Sequence, residues 1–323
     1  MGLRPLVIDT DPGVDDAIAL LVAAASPEVE LQAVTTVFGN VSVSQTTENA
    51  LRILALAGAD HIPVATGADR PLVHPQPHRA AHVHGVNGLG GVELPSAQRL
   101  AEGTPAVRLL ADLLHGSSEP VTVCAVGPLT NLALLVATDP AAAARIERLV
   151  VMGGAYGSGN VTPTAEFNVW SDPEAAQRVL TSGLPITVVG LDVTRPTAMD
   201  AAAVARIGAS GRVGSAAAAM LAHYLDFYLR LQGGTGVVIH DALAVLEAIT
   251  PGVLGTVART VSVDCGHGPG RGSTLVDRRG GPGSGLPSDN QPVGAAPVPV
   301  HVAETVDVPR AMTEIETRLC SYG

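Results

Sequence analysis

The chain has 323 residues, of which 46% are hydrophobic and 15% charged, and its formal net charge is −11 at pH 7. This length and apolar content suit one large α/β domain, or two smaller ones, with a sizeable core. Aromatic residues make up only 2% of the chain, and negative charge repels phosphate backbones, so we expect no nucleic-acid partner.

The beginning of the chain and its cysteines bear on the compartment. The first residues, MGLRPLVID, lead directly into a strand pattern without the features of a signal peptide, and no stretch reaches the roughly 18 apolar residues of a membrane span. Cys124, Cys265 and Cys320 are far apart and form no CxxC pair, which indicates structural thiols in a reducing compartment. We therefore expect a cytoplasmic protein with no membrane partner.

Short apolar runs alternate with longer helical patterns along the chain, which is typical of a mainly parallel sheet with helices on both faces. In chain order, the predicted elements are a strand at 4–9, a helix at 14–26, a strand at 31–37, a helix at 45–58, a long loop at 66–104, a helix at 104–116, strands at 120–127 and 148–154, a helix at 172–183 and a strand at 185–192. Asp172 is the expected N-cap of its helix, with Pro173 in the first turn. We predict an α/β fold with an open, mainly parallel sheet flanked by helices.

One late segment interrupts this rhythm. Residues 265–295 are the richest in Gly and Pro, which favours a small β-hairpin excursion with a mobile tip. Since no internal repeat is visible, we expect one domain over residues 1–323 that includes this excursion.

Polar residues collect where the predicted strands end. They form the segments IDTDPGVDD, VFGN, AVGPLTN, MGGAYGSGN followed by AEFN, and GLDVT. Ligands of open parallel sheets bind beyond the carboxyl ends of the strands, so these segments predict one site at a single edge.

Four aspartates, Asp9, Asp11, Asp15 and Asp16, lie within eight positions. A helix N-terminus stabilises a carboxylate by only ~0.3–1 kcal/mol, which is too little for such a cluster. A hard cation such as Ca²⁺ accepts several carboxylates, and Asp241 in the distant segment VVIHDALAV could add another oxygen. An N-cap with solvated acids is the alternative, and a DxD pair also occurs in Mg²⁺-dependent phosphatases.

The segment DTDPGVDDAIAL resembles the N-terminal signature of the nucleoside hydrolases, the inosine–uridine preferring family. The likeness continues through AVTTVFGN, HVHGVNGLGG, VGPLTNLAL, VVMGGAYGSGNVTPTAEFNVWSDPEAA, VGLDVT and HDALAV, in family order, to about residue 302. The resemblance implies an open α/β fold and Ca²⁺-dependent hydrolysis of the N-glycosidic bond of ribonucleosides in nucleoside catabolism or salvage.

The resemblance also implies a role for each matching position. The calcium ligands are the carboxylates of Asp11, Asp16 and Asp241 and the carbonyl of Val126, with Asp11 also acting as the general base. The substrate contacts are Asp15, Asp241 and Asn40 at the 2′- and 3′-hydroxyls, Asn160, Glu166 and Asn168 at the 5′-hydroxyl, Met152 along the ribose, and His240, His84 and Tyr228 near the base. His240 is the expected proton donor, because a histidine that titrates near pH 7 can protonate a leaving base.

Several further residues carry expectations of their own. We expect Asp9 to support the cluster from behind, Asn131 to fix its own turn, Asp192 to hydrogen-bond a strand end, and Trp170 to lie on a strand and not over a base. The HVHG loop together with His240 favours the pyrimidine-preferring or nonspecific branch of the family. Analogy suggests a homo-oligomer, either a dimer or a tetramer.

Two other functions remain open at this point. A metal-dependent phosphohydrolase would need Lys or Arg to hold phosphate, and the polar segments contain almost none. A non-catalytic ribose- or nucleoside-binding protein would be expected to lack the general base or a metal ligand, and Asp11, Asp16 and Asp241 are all present.

Overall fold

The computed structural model describes residues 2–231, 236–279 and 298–323. Its strands are β1 (Arg4–Thr10), β2 (Val29–Thr36), β3 (Val64–Thr66), β4 (Val121–Ala125), β5 (Ile146–Met152), β6 (Ile186–Val189), β7 (Ala198–Met199), β8 (Val237–Val238), β9 (Leu254–Arg259), β10 (Val261–Val263), β11 (Thr274–Val276) and β12 (Val300–Val306). Its helices are α1 (Val14–Ala24), α2 (Val43–Leu56), α3 (Ala81–His84), α4 (Ala106–Gly116), α5 (Thr130–Thr138), α6 (Pro140–Ala143), α7 (Phe167–Ser171), α8 (Pro173–Leu180), α9 (Leu191–Thr194), α10 (Ala201–Gly208), α11 (Arg212–Leu231), α12 (His240–Ile249) and α13 (Val308–Cys320).

An eight-stranded sheet with the order β3-β2-β1-β4-β5-β6-β12-β9 forms the centre of the fold. Neighbouring strands are parallel except at the β12–β9 edge, where β9 runs antiparallel. Strands β2 and β3 follow one another on one side of β1. Strand β4 pairs with the other side of β1, and β5 and β6 extend the sheet in that direction. The loops after β1 and β4 therefore diverge to opposite faces of the sheet, which opens a crevice at this switch point.

Successive side chains of each strand point to opposite faces of the sheet and pack into two apolar layers, one on each face. Leu6 and Ile8 of β1 pack in the layer formed with α1, α2, α11, α12 and α13. Val7 faces the other layer, which contains α4, α5 and α8. Helix α1 is buried from Val14 to Ala23, so the acidic residues in its first turn are carried into the interior.

The predicted mainly parallel sheet flanked by helices is confirmed. The helix predicted at 172–183 begins as expected, because the side chain of Asp172 accepts a hydrogen bond from Ala175 N. Within the described residues, no helix is both long enough and apolar enough to cross a membrane.

Two small antiparallel pairs, β10–β11 and β7–β8, lie outside the main sheet. The late hairpin begins earlier than expected, because its strands pair Val261 with Val276 and Val263 with Thr274. Of the excursion predicted at 265–295, residues 280–295 lie outside the described residues, and its mobile tip stays a prediction.

Candidate active site

The turn between β1 and α1 folds around the carboxylate of Asp16. This group accepts hydrogen bonds from Thr10 Oγ1 at 2.5 Å, Gly13 N at 2.9 Å and Asn40 Nδ2 at 3.0 Å. Glycine is required at position 13, because a Cβ there would lie 2.7 Å from both Asn40 Nδ2 and His84 Nδ1. The turn thus brings residues from three segments of the chain together.

Asp11 lies where the loops after β1, β2 and β4 meet. Its Oδ2 atom accepts a hydrogen bond from Asn40 N at 2.7 Å. Its Oδ1 atom is buried and has no hydrogen-bond partner among the described residues, and a Cβ at Gly127 would lie only 2.6 Å from it. A buried carboxylate oxygen without a partner is unfavourable unless a proton or a cation satisfies it.

Three buried carboxylates from distant parts of the chain converge beside this turn. Oxygens of Asp15 and Asp16, at the start of α1, and of Asp241, at the start of α12, lie within 4.8 Å of one another. Burial and the charge of Asp16 raise the pKa of Asp15 to about 8, and burial, followed by the charges of Asp15 and Asp16, raises the pKa of Asp241 well above its usual range. This set of buried, mutually repelling oxygens can bind a divalent cation.

The resemblance implied Asp11 as a metal ligand in place of Asp15, and the group within 4.8 Å contains Asp15 and not Asp11. The fourth implied ligand, the carbonyl oxygen of Val126, accepts a hydrogen bond from Asn168 Nδ2 at 2.8 Å. Because a carbonyl oxygen has two lone pairs, that contact leaves one available.

Asp9 and Asn131 form a buried support between strand ends. The Oδ1 atom of Asp9 accepts hydrogen bonds from Thr35 Oγ1 at 2.5 Å and Asn131 Nδ2 at 2.7 Å. Asn131 also donates to Thr36 O at 3.0 Å, and its Oδ1 atom accepts from Ala68 N at 2.9 Å. The expectation that Asn131 fixes its own turn is wrong, because its side-chain partners belong to β1, β2 and the loop after β3.

A cavity of about 390 Å³ adjoins the carboxylates. Eleven of the predicted site residues line it: Asp15, Asn40, His84, Val126, Met152, Asn160, Glu166, Asn168, Tyr228, His240 and Asp241. Asp11 and Asp16 are not part of this lining, which fits their hydrogen bonds within the β1–α1 turn.

One wall of the cavity is built around Glu166. This residue is the N-cap of α7, and its carboxylate accepts from Asn168 N at 2.9 Å, Val169 N at 3.2 Å and Gly154 N at 2.9 Å. Burial raises the pKa of Glu166, and these backbone donors oppose that shift. Asn160 joins the wall by accepting from Phe167 N at 3.0 Å.

A second wall of the cavity contains a hydrogen-bonded pair, His240 and Tyr228. Thr194 Oγ1 lies 2.7 Å from Nδ1 of His240, and the Tyr228 hydroxyl lies 2.9 Å from Nε2. Burial and the nearby Arg195 charge lower the pKa of His240 to about 3, so its ring is neutral at pH 7. His84 is also buried, and its Nδ1 atom accepts a hydrogen bond from Val14 N at 3.1 Å. The same Nδ1 atom lies 3.9 Å from Asp15 Oδ1.

The structure adds lining residues that the sequence analysis did not assign to the site, among them His78, Arg79, Phe167, Tyr224 and Phe227. Trp170 was expected on a strand, but it lies on helix α7, lines the cavity and has its ring 3.7 Å from that of His78. Because glutamate is not a preferred N-cap residue, the start of α7 at Glu166 carried no clear sequence signal, and the helix turns Trp170 toward the same side as Phe167. Arg79 also shows that the rim is not entirely free of arginine.

Asp192 behaves as expected and hydrogen-bonds next to a strand end. Its Oδ2 atom accepts from Tyr156 N at 2.9 Å, just beyond β5.

Comparisons with known proteins agree on one family. A family model described as inosine-uridine preferring nucleoside hydrolase matches residues 6–313. The chain is 42% identical over 278 residues to the pyrimidine-specific ribonucleoside hydrolase RihA of Salmonella agona strain SL483. The alignment covers 84% of this chain and 88% of the relative.

Solved structures give the same result. The plant nucleoside hydrolase PpNRh1 superimposes with a TM-score of 0.92 at 32% identity, covering 99% of this chain and 100% of that one. A purine-preferring ribonucleoside hydrolase from Gardnerella vaginalis superimposes with a TM-score of 0.90 at 33% identity and covers 99% of both chains.

Proposed function

The chain belongs to the inosine–uridine preferring nucleoside hydrolase family and hydrolyses the N-glycosidic bond of ribonucleosides, and we propose that it uses Ca²⁺ and prefers pyrimidine ribonucleosides. The observation that carries this proposal is the group of three buried carboxylates beside a cavity of about 390 Å³. The pyrimidine preference is supported by the 42% identity to a relative named as pyrimidine-specific. Membership of this family argues against a non-catalytic binding protein and against a phosphohydrolase.

The proposed calcium ligands are Asp11, Asp16, Asp241 and the carbonyl oxygen of Val126. The unpartnered Oδ1 atom of Asp11 and the spare lone pair of Val126 O support this set. Carboxylate and carbonyl oxygens are the ligands that Ca²⁺ prefers. When bound, the ion would lower the pKa of a water molecule and help to orient the ribose.

Asp11 is the proposed general base, which takes a proton from the attacking water. The hydrogen bond from Asn40 N orients the carboxylate through Oδ2, which keeps a lone pair, and Oδ1 has no protein partner among the described residues, so the carboxylate can contact both the ion and the water. Asp15, Asn40 and Asp241 hold the 2′- and 3′-hydroxyls. As the glycosidic bond breaks, positive charge grows on the sugar, and the same carboxylates stabilise it.

Asn160, Glu166 and Asn168 are the proposed contacts of the 5′-hydroxyl, and Met152 packs along the ribose. The support for this assignment is that all four line the cavity on the wall around α7. Glu166 already accepts three backbone hydrogen bonds, so it also keeps Asn168 in place for its contact with the sugar.

The leaving base is proposed to meet Tyr228 and His240, with His84 nearby. Because burial lowers the pKa of His240 to about 3, this neutral ring is a poor direct acid at pH 7. If Thr194 donates to Nδ1, the Nε2–H of His240 donates to the Tyr228 oxygen. The Tyr228 hydroxyl proton, whose contact with the Tyr224 hydroxyl is long at 3.5 Å, can then turn to the departing base. His240 therefore acts through Tyr228.

Two further parts of the proposal concern the whole protein. We place the enzyme in the cytoplasm, which its three free cysteines support. We also propose a homodimer or homotetramer, by analogy within the family. Light scattering of the purified protein and fractionation of the native host test these two statements.

Ribose release from a panel of uridine, cytidine, inosine and adenosine tests the proposal, with each substrate assayed after chelation and after addition of Ca²⁺. We expect uridine and cytidine to be cleaved faster than the purine nucleosides, and chelation to abolish activity until Ca²⁺ is restored. Full activity after exhaustive chelation would refute the metal dependence, and a faster purine reaction would refute the base preference.

A further inference from the structure

Helix α9 and the residue after it contact both walls of the cavity. Thr194, the last residue of α9, holds Nδ1 of His240 at 2.7 Å. One residue later, Arg195 reaches across to the loop that carries Asn160. The segment thus joins the wall with His240 and Tyr228 to the wall with Asn160 and Glu166.

Arg195 holds that loop through a fork of hydrogen bonds. Its Nη1 atom donates to Ser158 O and Ser158 Oγ, both at 2.7 Å, and its Nη2 atom donates to Gly159 O at 2.6 Å. These acceptors are neutral oxygens, so the geometry of the planar guanidinium matters here more than its charge. The next residue along the chain is Asn160, which lines the cavity.

Two other sets of hydrogen bonds act on the loop. At its start, Leu191 N donates to Gly154 O and Tyr156 N donates to Asp192 Oδ2, both at 2.9 Å, whereas the part around Asn160 is closed on itself. Gly159 N donates to Pro163 O at 2.9 Å, and Asn160 N donates to Ala165 O at 3.1 Å. Asn160 Oδ1 accepts from Phe167 N at 3.0 Å, which leaves the amide nitrogen to donate toward a ligand. The bonds within this part shape it, but they do not link it to His240 and Tyr228.

Space between the loop and His240 and Tyr228 makes the Arg195 fork important. A second cavity of about 240 Å³ lies there, lined by Gly159, Asn160 and Arg195 together with Leu191, Tyr228, Val238 and His240. Since no side chains of the described residues fill this side of the loop, hydrogen bonds set its position, and the loop has room to shift when they are lost.

We infer that Arg195 is a positioning residue that holds Ser158 and Gly159 so that the Asn160 amide meets the 5′-hydroxyl of the substrate. This inference rests on the proposed role of Asn160. Loss of the fork therefore weakens recognition of the 5′-hydroxyl selectively, whereas general damage to the fold lowers turnover of every substrate equally.

The test compares uridine with 5′-deoxyuridine in the wild type and in Arg195→Met, Arg195→Lys and Asn160→Ala. We expect kcat/KM for uridine to fall about tenfold in Arg195→Met, the size of one lost hydrogen bond, with a change below about threefold for 5′-deoxyuridine. Arg195→Lys keeps the charge but not the fork, so it is expected to lose most of the same selectivity. Arg206→Gln, which removes an exposed pair with Glu316, is the matched control and is expected to leave both values unchanged.

The outcomes separate this inference from the proposed function. The deciding quantity is kcat/KM for uridine divided by kcat/KM for 5′-deoxyuridine. If Asn160→Ala lowers this ratio but neither Arg195 variant does, the inference is overturned while the role of Asn160 stands. If Asn160→Ala leaves the ratio unchanged, the role of Asn160 fails and the inference fails with it. Wild-type selectivity in Arg195→Lys would show that only the charge matters, which also overturns the inference, and this variant decides the question if Arg195→Met does not fold.

Discussion

Replacing Asp241 by asparagine should have two opposite effects: it should preserve or raise the stability of the metal-free protein, and it should remove the stabilisation by calcium. Asp241, Asp15 and Asp16 place carboxylate oxygens within 4.8 Å of one another, a separation at which two ionised groups repel by about 3.5 kcal/mol at an effective dielectric constant of about 20. Burial raises the pKa of Asp241 well above its usual range, so protons already relieve part of this repulsion. We expect metal-free Asp241→Asn to be as stable as the wild type, or more stable by about 1–2 kcal/mol.

With calcium bound, we expect the wild type to be more stable than Asp241→Asn. A ligand present at about 100 times its Kd adds about 2.7 kcal/mol to the stability of the folded state, or about 4 °C in Tm for a chain of this size. We expect that gain in the wild type and a gain below about 1 °C in Asp241→Asn, because an amide is a poorer ligand for Ca²⁺ than a carboxylate.

Thermal melts followed by circular dichroism, first with chelator and then with excess CaCl₂, measure both effects. Asp139→Asn is the control, because Asp139 caps α6 and lies outside both the carboxylate group and the cavity lining. It should keep the full calcium gain. An equal calcium gain in Asp241→Asn and the wild type would refute the assignment of Asp241 as a ligand.

Three further changes test separate parts of the site. Asp11→Asn should lower kcat by about 10³-fold while the circular dichroism spectrum stays unchanged, and near-normal turnover would exclude Asp11 as the base. Asn131→Ala should lower the free energy of unfolding in urea by about 3 kcal/mol, because it removes one of the two hydrogen bonds to Asp9 Oδ1, the side-chain donor of Thr36 O and the acceptor of Ala68 N, and a loss below about 1 kcal/mol would contradict the buried support. Tyr228→Phe should lower kcat for uridine about tenfold or more with little change in KM. The same variant should spare a nitrophenyl riboside, whose leaving group needs no proton, and equal losses on both substrates would argue against the role of the Tyr228 hydroxyl.

Local sequence signals account for much of the fold and for the location of the site. Apolar runs of strand length separated by helical patterns predicted the parallel sheet, and Asp172 with Pro173 marked the start of α8. The polar segments after successive strands predicted one site at a single edge, because parallel strands end on the same side. Eleven predicted site residues do line one cavity. These signals work because strand alternation and helix capping depend on neighbours a few positions apart.

Other features depended on how distant segments pack. The pairing of Asp241 with Asp15 and Asp16 requires α12 to lie against α1, and the partners of Asn131 come from three separate strands or loops. Trp170 was misplaced because a five-residue helix is too short for a clear periodic pattern. Nothing near Arg195 in the sequence indicates that it holds a loop about 36 positions earlier. Sequence alone therefore determined the main strands and long helices and the edge of the sheet at which the site lies. The order of the strands and the packing of the helices decided which side chains meet, because such contacts join residues far apart in the chain.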